Sequence, residues 1–361
     1  MKAAVLHAVN QPLEIEEVTI RKPGPRQVLI RTKAAGLCHS DLHCMEGLFP
    51  TPLPIVLGHE SAGVVEQVGS EVTYVKPGDT VITCTSVFCG VCDYCTTGHP
   101  VLCQSPDVRI PAAANDLFAW QRPQKLNQFA YLGSFAEQML VHENAVVKLG
   151  RDVPIEIAAI VGCAVITGYG AVVNSARVGV GESVAVLGCG GVGLAAINTA
   201  AIAGAGRIIA IDTNPAKLQQ AAKLGATDLV NPRDGDPVSQ VKDLTGGGVQ
   251  HALEIVGQKI TAEQAFGMLR AGGQAIVVGM LPAGTKIELN GLDFLREKQI
   301  RGSVMGSNHF RLDIPRIIDL YLRGRLRLDD WISATIALKD INDGFAAMKA
   351  GRTIRSVIRF D

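Results

Sequence analysis

The segment that most restricts how this chain can fold is a glycine-rich run, GCGGVG, at positions 188–193. It follows a short apolar stretch, SVAVL, which is typical of a buried strand, and it opens an apolar stretch that is typical of a helix. A strand, a tight glycine turn and a helix form the unit whose helix N-terminus binds the pyrophosphate of a dinucleotide. The run therefore predicts a doubly wound, parallel α/β domain with a nucleotide site. A helix-packing turn without a ligand is the alternative.

We expect the nucleotide contacts to come from this turn and from the next strand, RIIAID, which ends in Asp212. A carboxylate there accepts hydrogen bonds from the adenosine ribose hydroxyls and repels a 2′-phosphate, which favours NAD over NADP. Lys217, one turn into the next helix, is either a second ribose contact or a solvated surface lysine. The predicted cofactor residues within the turn are Gly188, Gly190, Gly191, Val192 and Gly193.

The 361 residues are enough for two domains. The pattern of strand-like and helix-like runs changes along the chain, which indicates where the domains divide. Residues 1–164 contain short strand-like runs between Gly/Pro turns, such as QVLIRTKAAG, SAGVVEQVG and DTVITCT. Strand-like and helix-like runs alternate over 165–303, and the tail, 304–361, ends in the strand-like SVIRF. We therefore predict a β-rich domain from 1–164 and 304–361 and a Rossmann domain over 165–303. The irregular stretch 104–132 is expected to form a lobe or a subunit contact.

The charge balance limits the partners. Lys and Arg number 34, as do Asp and Glu, whereas nucleic acids and acidic membranes call for a basic surface. The uncharged stretch 183–206 is long enough to span a bilayer, but its glycines favour a buried strand and helix. The N-terminus alternates like a strand and does not resemble a signal peptide. We expect a cytoplasmic protein that binds neither nucleic acid nor membranes.

Four cysteines lie close together in the sequence, as Cys89-x2-Cys92-x2-Cys95-x7-Cys103. In a cytoplasmic chain such spacing favours a metal over disulfides. Four thiolates close the tetrahedral coordination of zinc, so this ion would be structural. An iron–sulfur cluster is the competing interpretation. A zinc-ribbon nucleic-acid module is disfavoured by the zero net charge and by the lack of Lys or Arg inside the cluster.

Further residues of metal-binding type stand apart at Cys38, His59 and Cys163. Two thiolates and one imidazole would leave a fourth position on zinc open, as catalytic zinc sites require. Because the three residues are distant in the sequence, their spacing alone does not join them into one site.

The motifs GLCHSDLH, GHESAGVVEQVG, the four cysteines, VGCAVITGYGAV and GCGGVG occur in the order found in zinc-containing medium-chain alcohol dehydrogenases. The chain resembles this family over essentially its whole length, and it looks most similar to the long-loop members, which include thiol-dependent formaldehyde dehydrogenases. The resemblance implies a GroES-like catalytic domain, two zinc ions per chain, NAD, and a homodimer or tetramer. It assigns Cys38, His59 and Cys163 to the catalytic zinc, with Glu60 as a neighbouring or alternate ligand.

The resemblance also assigns roles around that zinc. Asp41 matches the carboxylate that orients the histidine ligand, Ser40 and His43 match the proton relay, and Thr167 lines the nicotinamide. Two further cofactor contacts are implied: His39, where many members carry an arginine against the pyrophosphate, and Arg355, which is otherwise a solvated arginine. The pocket residues carried over are Phe49, Thr85, Tyr131 and Met280, with Trp120 as an additional candidate.

We therefore expect reversible hydride transfer between a primary alcohol and NAD. Thr85 replaces a bulky aromatic residue of several relatives, which favours larger or aromatic alcohols over ethanol. A thiol-dependent formaldehyde dehydrogenase is the alternative, and it would need a polar or basic pocket for the carboxylates of the thiol. A polyol dehydrogenase stays open, whereas a non-catalytic NAD-binding protein is disfavoured by the complete set of zinc and relay residues. Cys44, Cys84 and Cys189 are interpreted as buried small hydrophobic residues.

Overall fold

The computed structural model describes residues 1–109, 117–122, 124–150 and 152–361. These form two compact units, the first from Met1–Cys163, His309–Ile318 and Leu328–Asp361, the second from Ala164–Asn308 and Asp319–Arg327. Part of the predicted lobe at 104–132 lies outside the described residues.

The division differs from the predicted boundaries chiefly at Asp319–Arg327, which the sequence pattern assigns to the first domain. The Asn198 amide explains the difference. Its nitrogen donates to the Arg325 carbonyl at 3.4 Å, and its oxygen accepts from the Arg327 backbone N–H at 2.9 Å. The polar Asn198 side chain, inside the apolar helix Gly191–Ala203, therefore holds the segment Asp319–Arg327 against the second unit.

The described strands are two to ten residues long, and the longest described helix has 22 residues. The strands are β1 Lys2–Leu6, β2 Glu14–Glu17, β3 Thr19–Ile20, β4 Gln27–Gly36, β5 Ile55–Val56, β6 Ser61–Val68, β7 Thr80–Thr83, β8 Phe118–Ala119, β9 Asn127–Gln128, β10 Gln138–His142, β11 Val146–Lys148, β12 Ser183–Leu187, β13 Arg207–Ile211, β14 Asp228–Val230, β15 Val249–Glu254, β16 Leu269–Val277, β17 Gln299–Gly302, β18 Ile332–Ile336 and β19 Arg355–Arg359. The α-helices are α1 His39–Met45, α2 Asp93–Thr96, α3 Ile155–Ala176, α4 Gly191–Ala203, α5 Pro215–Lys223, α6 Pro237–Thr245, α7 Lys259–Gly267, α8 Phe310–Leu322 and α9 Ile341–Lys349. Short helical turns lie at Pro100–Leu102, Pro106–Val108, Phe129–Tyr131, Glu143–Ala145, Pro232–Asp234, Gly291–Arg296, Val304–Ser307, Asp329–Trp331 and Leu338–Asp340.

The first unit is rich in β-structure, as predicted. Its main sheet has the order β11-β7-β6-β4-β19-β18, with β10 also paired to β4, and a second sheet has the order β2-β1-β5-β9. Alternate residues of a strand point to one face. Val28 and Ile30 of β4 accordingly share a core with Val65 of β6 and with Met139 and Val141 of β10.

The second unit contains six parallel strands in the order β14-β13-β12-β15-β16-β17. The runs SVAVLG, RIIAID and HALEIVG correspond to β12, β13 and β15. This order is that of the doubly wound nucleotide-binding fold, and it confirms the predicted fold class. The order reverses between β12 and β15, so a crevice opens at their carboxyl ends, where ligands of such sheets bind.

Helix α3 is long and apolar enough to cross a membrane by length and composition alone. However, 89% of its most apolar window is buried inside the protein, as in a core helix. The uncharged stretch 183–206 divides into β12 and α4, as its glycines predict. Within α3 the turns Val161–Val165 and Ala171–Ala176 are π-helical. Such turns often mark functional positions, and the first of them carries Cys163.

Candidate functional site

Three side chains that are distant in the sequence converge in the first unit. Cys38, His59 and Cys163 are all buried, and their possible ligand atoms lie within 4.8 Å of one another. Zinc binds sulfur at about 2.3 Å and imidazole nitrogen at about 2.0 Å, so one ion between them can reach all three. The fold therefore assembles the group of ligands that spacing alone left open.

Local structure explains how each ligand reaches this point. Cys38 is the extended residue that precedes α1, and His59 follows Gly58, whose positive φ of 93° turns the chain after β5. Cys163 lies in the first π-helical turn of α3. A side chain at the preceding Gly162 would overlap the Thr83 carbonyl, so glycine is required for α3 to approach β7.

The buried Asp41 carboxylate holds the His59 ring. Its Oδ1 accepts from the Gly58 backbone N–H at 3.0 Å and lies 3.1 Å from His59 Nδ1. Burial raises the pKa of the Asp41 carboxyl, and attraction to His59 opposes that rise. When Nδ1 donates to a carboxylate, Nε2 presents its lone pair, which is the geometry of a zinc-bound histidine.

A cation is buried next to the same group. Arg355 donates to the Leu37 carbonyl at 2.9 Å and lies 3.7 Å from Glu60 Oε2. The interpretation of Arg355 as a solvated arginine is therefore wrong. The pKa of the Cys38 thiol is lowered well below its usual value, first by a hydrogen bond from Cys163 and then, against the effect of burial, by Arg355 and His59. These surroundings favour the thiolate, the form that binds metal, at Cys38, whereas the hydrogen bond to Cys38 and burial raise the pKa of the Cys163 thiol well above its usual value.

The predicted relay residues lie on the helix that begins at the ligand group. Ser40 and His43 are three residues apart on α1, hence on one helix face, and both are half-buried. Ser40 Oγ lies 3.9 Å from Cys38 Sγ. His39 is exposed at the start of the same helix. A hydroxyl next to a ligand sulfur, followed by an imidazole towards solvent, is an arrangement that can pass a proton outward.

The four clustered cysteines enclose a single small space. Cys92 Sγ lies 3.6 Å from Cys95 Sγ and 3.8 Å from Cys103 Sγ, and Cys89 Sγ lies 3.9 Å from Cys95 Sγ. A tetrahedron with Zn–S bonds of about 2.3 Å has S···S edges of about 3.8 Å. An iron–sulfur cluster would place several irons and sulfides between the thiolates and push them further apart. The spacing therefore fits one zinc ion.

Backbone N–H groups also prepare these sulfurs for a metal. Val91 and Cys92 donate to Cys89 Sγ at 3.4 and 3.3 Å, and Cys89 N–H donates to Cys103 Sγ at 3.3 Å. The N–H of Val91 is the largest cause that lowers the pKa of the Cys89 thiol to about 6. Donors aimed at the sulfur of Cys89 stabilise its thiolate form, which zinc requires, whereas burial raises the pKa of the Cys95 thiol to about 12.

His59 has an aromatic neighbour that the sequence analysis did not name. Phe129 lies edge to face with both His59, at a ring-centroid distance of 5.6 Å, and Phe49, at 6.4 Å. Tyr131 instead lies under the Arg109 guanidinium, 5.8 Å from its ring centroid. Tyr131 stays a predicted pocket residue, and Phe129 is a further aromatic side chain that lines the ligand group. Sequence reasoning missed it because left-handed backbone within the turn, which residue types do not reveal, separates the two rings.

The other predicted pocket and cofactor side chains are distributed over both units. Thr85, half-buried, follows β7 in the first unit, and Trp120 stacks on His7 at 5.8 Å. Met280 belongs to the second unit and is partly exposed. Thr167, also of the second unit, is buried and donates to Met305 Sδ at 3.7 Å.

The glycine turn has the geometry that a phosphate needs. Gly188 has a φ of 97°, and a side chain at Gly193 would overlap the Gly188 carbonyl. No described atom lies within 4 Å of the position where a Gly190 side chain would begin. The buried Gly191 and the half-buried Val192 open α4 behind it. This is room for close approach to the backbone at a helix N-terminus.

Asp212 is fixed beside this turn. Its Oδ2 accepts from the Cys189 backbone N–H, and its Oδ1 accepts from the Asn214 backbone N–H, each at 2.8 Å. Lys217 is half-buried on α5, and its charge acts on the Cys189 thiol, so it lies close to the same turn. The carboxylate is thus held in place, ready to accept hydrogen bonds from hydroxyl groups.

The remaining cysteines are buried, as predicted for small hydrophobic residues. Burial raises the pKa of the thiols of Cys44, Cys84 and Cys189 to about 12, 11 and 12, respectively. Such thiols are protonated and inert at neutral pH.

Comparison with known proteins identifies the family. Residues 24–151 match the alcohol dehydrogenase GroES-like domain, and residues 191–323 match the zinc-binding dehydrogenase domain. An S-(hydroxymethyl)glutathione dehydrogenase of Synechocystis is 38% identical over 99% of both chains. Among solved structures, an alcohol dehydrogenase zinc-binding domain protein of Burkholderia ambifaria is 37% identical (TM-score 0.95, covering 100% of this chain and 98% of that one). The benzyl alcohol dehydrogenase of Acinetobacter calcoaceticus is 34% identical (TM-score 0.94, covering 100% and 99%).

The motifs, the two groups of zinc ligands and the parallel nucleotide-binding sheet agree with these matches. The chain therefore belongs to the zinc-containing medium-chain alcohol dehydrogenases.

Proposed function

We propose that this enzyme interconverts a primary alcohol and its aldehyde with NAD, and that it favours larger or aromatic alcohols. The convergence of Cys38, His59 and Cys163 beside Asp41 carries the proposal. Cys38, His59 and Cys163 would hold a zinc ion, which would supply the Lewis acid for an alcohol oxygen, and the second unit would hold NAD, which would supply the hydride acceptor. In this proposal the first unit holds the substrate, and the second unit holds the nucleotide.

The chain's own groups handle the proton. Ser40 Oγ accepts it from the alcohol while its own hydroxyl proton passes on towards His43, whose imidazole can take up a proton on one ring nitrogen and release one to solvent from the other. Asp41 keeps the His59 ring oriented throughout. Arg355 and Glu60 stay paired beside the ligands, and the coulombic effect of Glu60 keeps the Arg355 guanidinium charged although burial alone would lower its pKa.

The side chains that line the proposed substrate pocket favour an apolar substrate. Two aromatic rings lie near His59: that of Phe129, and next to it that of Phe49, which has 43% of its surface exposed. The small side chain of Thr85, after β7, takes up little of the pocket's volume. The benzyl alcohol dehydrogenase of Acinetobacter, which this chain resembles over its full length, acts on an alcohol of this kind by its name. Met280 stays a predicted pocket residue.

The nucleotide residues support NAD rather than NADP. Asp212 presents a fixed carboxylate where the adenosine ribose would lie, and a 2′-phosphate would be repelled there. Gly188, Gly190 and Gly193 leave room for the pyrophosphate, while His39 and Arg355 are its proposed cationic contacts. Lys217 would meet the ribose and Thr167 the nicotinamide.

A second candidate activity is oxidation of a thiol adduct of formaldehyde. The observation in its favour is the 38% identity to S-(hydroxymethyl)glutathione dehydrogenases of Synechocystis and Haemophilus influenzae. Against it, the described rings beside His59 are apolar, whereas glutathione carboxylates need cationic partners. Arg109 lies in the same unit, but it is held at the Cys103 carbonyl and under Tyr131.

Initial rates of NAD reduction test the proposal. We expect kcat/KM to rise by about tenfold or more from ethanol to benzyl and cinnamyl alcohols, because an apolar ring gains more buried surface. We expect NADP to be used at least about tenfold less well than NAD. Activity only with formaldehyde plus glutathione would establish the second candidate. No reaction with any alcohol, with zinc and NAD bound, would refute the first.

We also propose a homodimer formed through the open edge of the parallel sheet. Among the described strands, β17 is one of the two outer strands of this sheet, and apolar side chains near it in the sequence are exposed: Leu292, Phe294, Leu295 and Val304. An unpaired apolar edge favours pairing with a second copy about a twofold axis. Light scattering at micromolar concentration should give twice the mass of one chain. The mass of a single chain would reject the dimer, and four times that mass would indicate a tetramer.

A cytoplasmic location is part of the proposal. Two groups of zinc-binding thiols require a reducing compartment, and all nine cysteines are free of disulfides in the structure.

A further inference from the structure

Phe129 contacts two rings with different functions. One belongs to His59, whose other neighbours are Asp41 and the ligand sulfurs, and the other belongs to the partly exposed Phe49. Both contacts are edge to face, with interplanar angles of 81° and 84°. Aromatic rings attract one another in this geometry beyond the effect of buried area. Phe129 therefore links the metal-ligand group to the surface where a substrate ring would enter.

The backbone holds Phe129 in this place through an unusual turn. Ala130 and Tyr131 are consecutive non-glycine residues in the left-handed region, with φ values of 53° and 62°. Such conformations persist only where their surroundings enforce them, and they concentrate at functional sites.

Hydrogen bonds on both sides enforce this turn. The Phe129 carbonyl accepts from the Leu132 and Gly133 backbone N–H groups at 2.9 and 3.0 Å. The Gln128 amide donates to the Leu132 carbonyl at 2.7 Å and to the Leu140 carbonyl at 3.0 Å. The turn sends the Phe129 ring towards His59 and leaves the Tyr131 ring under Arg109.

We propose that Phe129 determines specificity for aromatic alcohols by forming the wall on which the substrate ring packs. The inference rests on the proposed alcohol dehydrogenase function and names the residue that selects the substrate class. A planar ring whose hydroxyl oxygen lies at the three-ligand group meets Phe129 and Phe49 as its aromatic neighbours. An alkyl chain gains buried area there but not the ring–ring geometry, so the enzyme distinguishes the two alcohols.

The test compares benzyl alcohol with 1-hexanol as substrates of the zinc-loaded enzyme. We expect Phe129→Leu, which keeps an apolar side chain but removes the ring, to lower the benzyl-to-hexyl ratio of kcat/KM by about three- to tenfold. The loss should appear mainly as a higher KM for benzyl alcohol with kcat little changed, since ring packing is present in both ground and transition states. Phe129→Tyr, which keeps the ring, should restore the ratio to within about twofold.

Tyr74→Leu is the matched control, because it removes a ring of the same unit that lies under a guanidinium, with Arg311 Cζ 3.8 Å from the ring centroid, and that belongs to neither ligand group. It should leave the ratio within about twofold of wild type. Zinc content and thermal unfolding check that each variant is folded and loaded, and Phe129→Met replaces Phe129→Leu if the latter does not fold.

The outcomes separate this inference from the function on which it rests. A wild-type enzyme that oxidises neither alcohol refutes the proposed function and the inference together. A wild-type enzyme that oxidises both, with an unchanged ratio in folded Phe129→Leu or Phe129→Met, overturns only the role of Phe129. An equal loss in Tyr74→Leu would do the same, because it would show a general effect of removing a ring from this unit.

Discussion

Replacing Cys163 by alanine is expected to lower bound zinc from two ions per chain to one and to reduce kcat/KM by about 10³-fold or more. The π-helical turn of α3 brings this thiol into the buried group with Cys38 and His59. Two remaining ligands hold zinc poorly in a catalytic geometry that needs three. Substitutions of residues that only orient a ligand already cost about 10- to 100-fold, so loss of a ligand should cost more. Metal analysis and initial rates measure both effects.

Two control variants make this result specific. Cys44→Ala removes another buried cysteine, on α1, that is not in either ligand group, and it should keep both zinc ions and most of the activity. Ser40→Ala should also keep both ions but lose about 10²- to 10⁴-fold in rate, because it interrupts the proposed proton path. If Cys163→Ala retained two ions and the wild-type rate, the catalytic centre would lie elsewhere.

Local patterns in the sequence were sufficient for the nucleotide unit. The alternation of SVAVL, the glycine turn and the position of Asp212 are short-range features, and each has the predicted place in the sheet. A parallel strand that is buried on both faces reads as a continuous apolar run, which is why these strands could be recognised without tertiary information.

The zinc-ligand group of the first unit could be predicted only through family resemblance. Cys38, His59 and Cys163 are joined by the packing of α3 against β7, which depends on Gly162 and on an irregular turn inside the helix. Spacing carries no signal for such long-range convergence.

Phe129 could not be predicted for a similar reason. Its direction depends on left-handed backbone at Ala130 and Tyr131, which neither residue type favours. Hydrogen bonds from Gln128, Leu132 and Gly133 impose that conformation, and they form only in the folded unit. A pattern of residue types thus predicts the helices and strands. The direction of individual side chains in the site depends on tertiary packing.

Loss of the four-cysteine zinc should affect stability rather than chemistry. We expect Cys95→Ala to remove one zinc ion and to lower the free energy of unfolding by about 4 kcal/mol, which corresponds to a fall of roughly 10 °C in Tm. Contacts that do not involve the zinc limit this loss of stability. The His309 ring donates to the Gly98 carbonyl at 2.8 Å, and Phe310 packs edge to face on Phe88, so the four-cysteine lobe, residues 89–103, stays partly anchored.

Calorimetry, metal analysis and limited proteolysis of residues 89–103 measure this effect. Val91→Ala is the matched control, since Val91 lies in the same lobe with 81% of its surface exposed, and it should leave zinc content and Tm unchanged. Activity per folded molecule at 25 °C should survive in Cys95→Ala, because the ligands of the other group are separate residues. Loss of both ions at once, or a Tm equal to that of wild type, would contradict a structural role confined to this lobe.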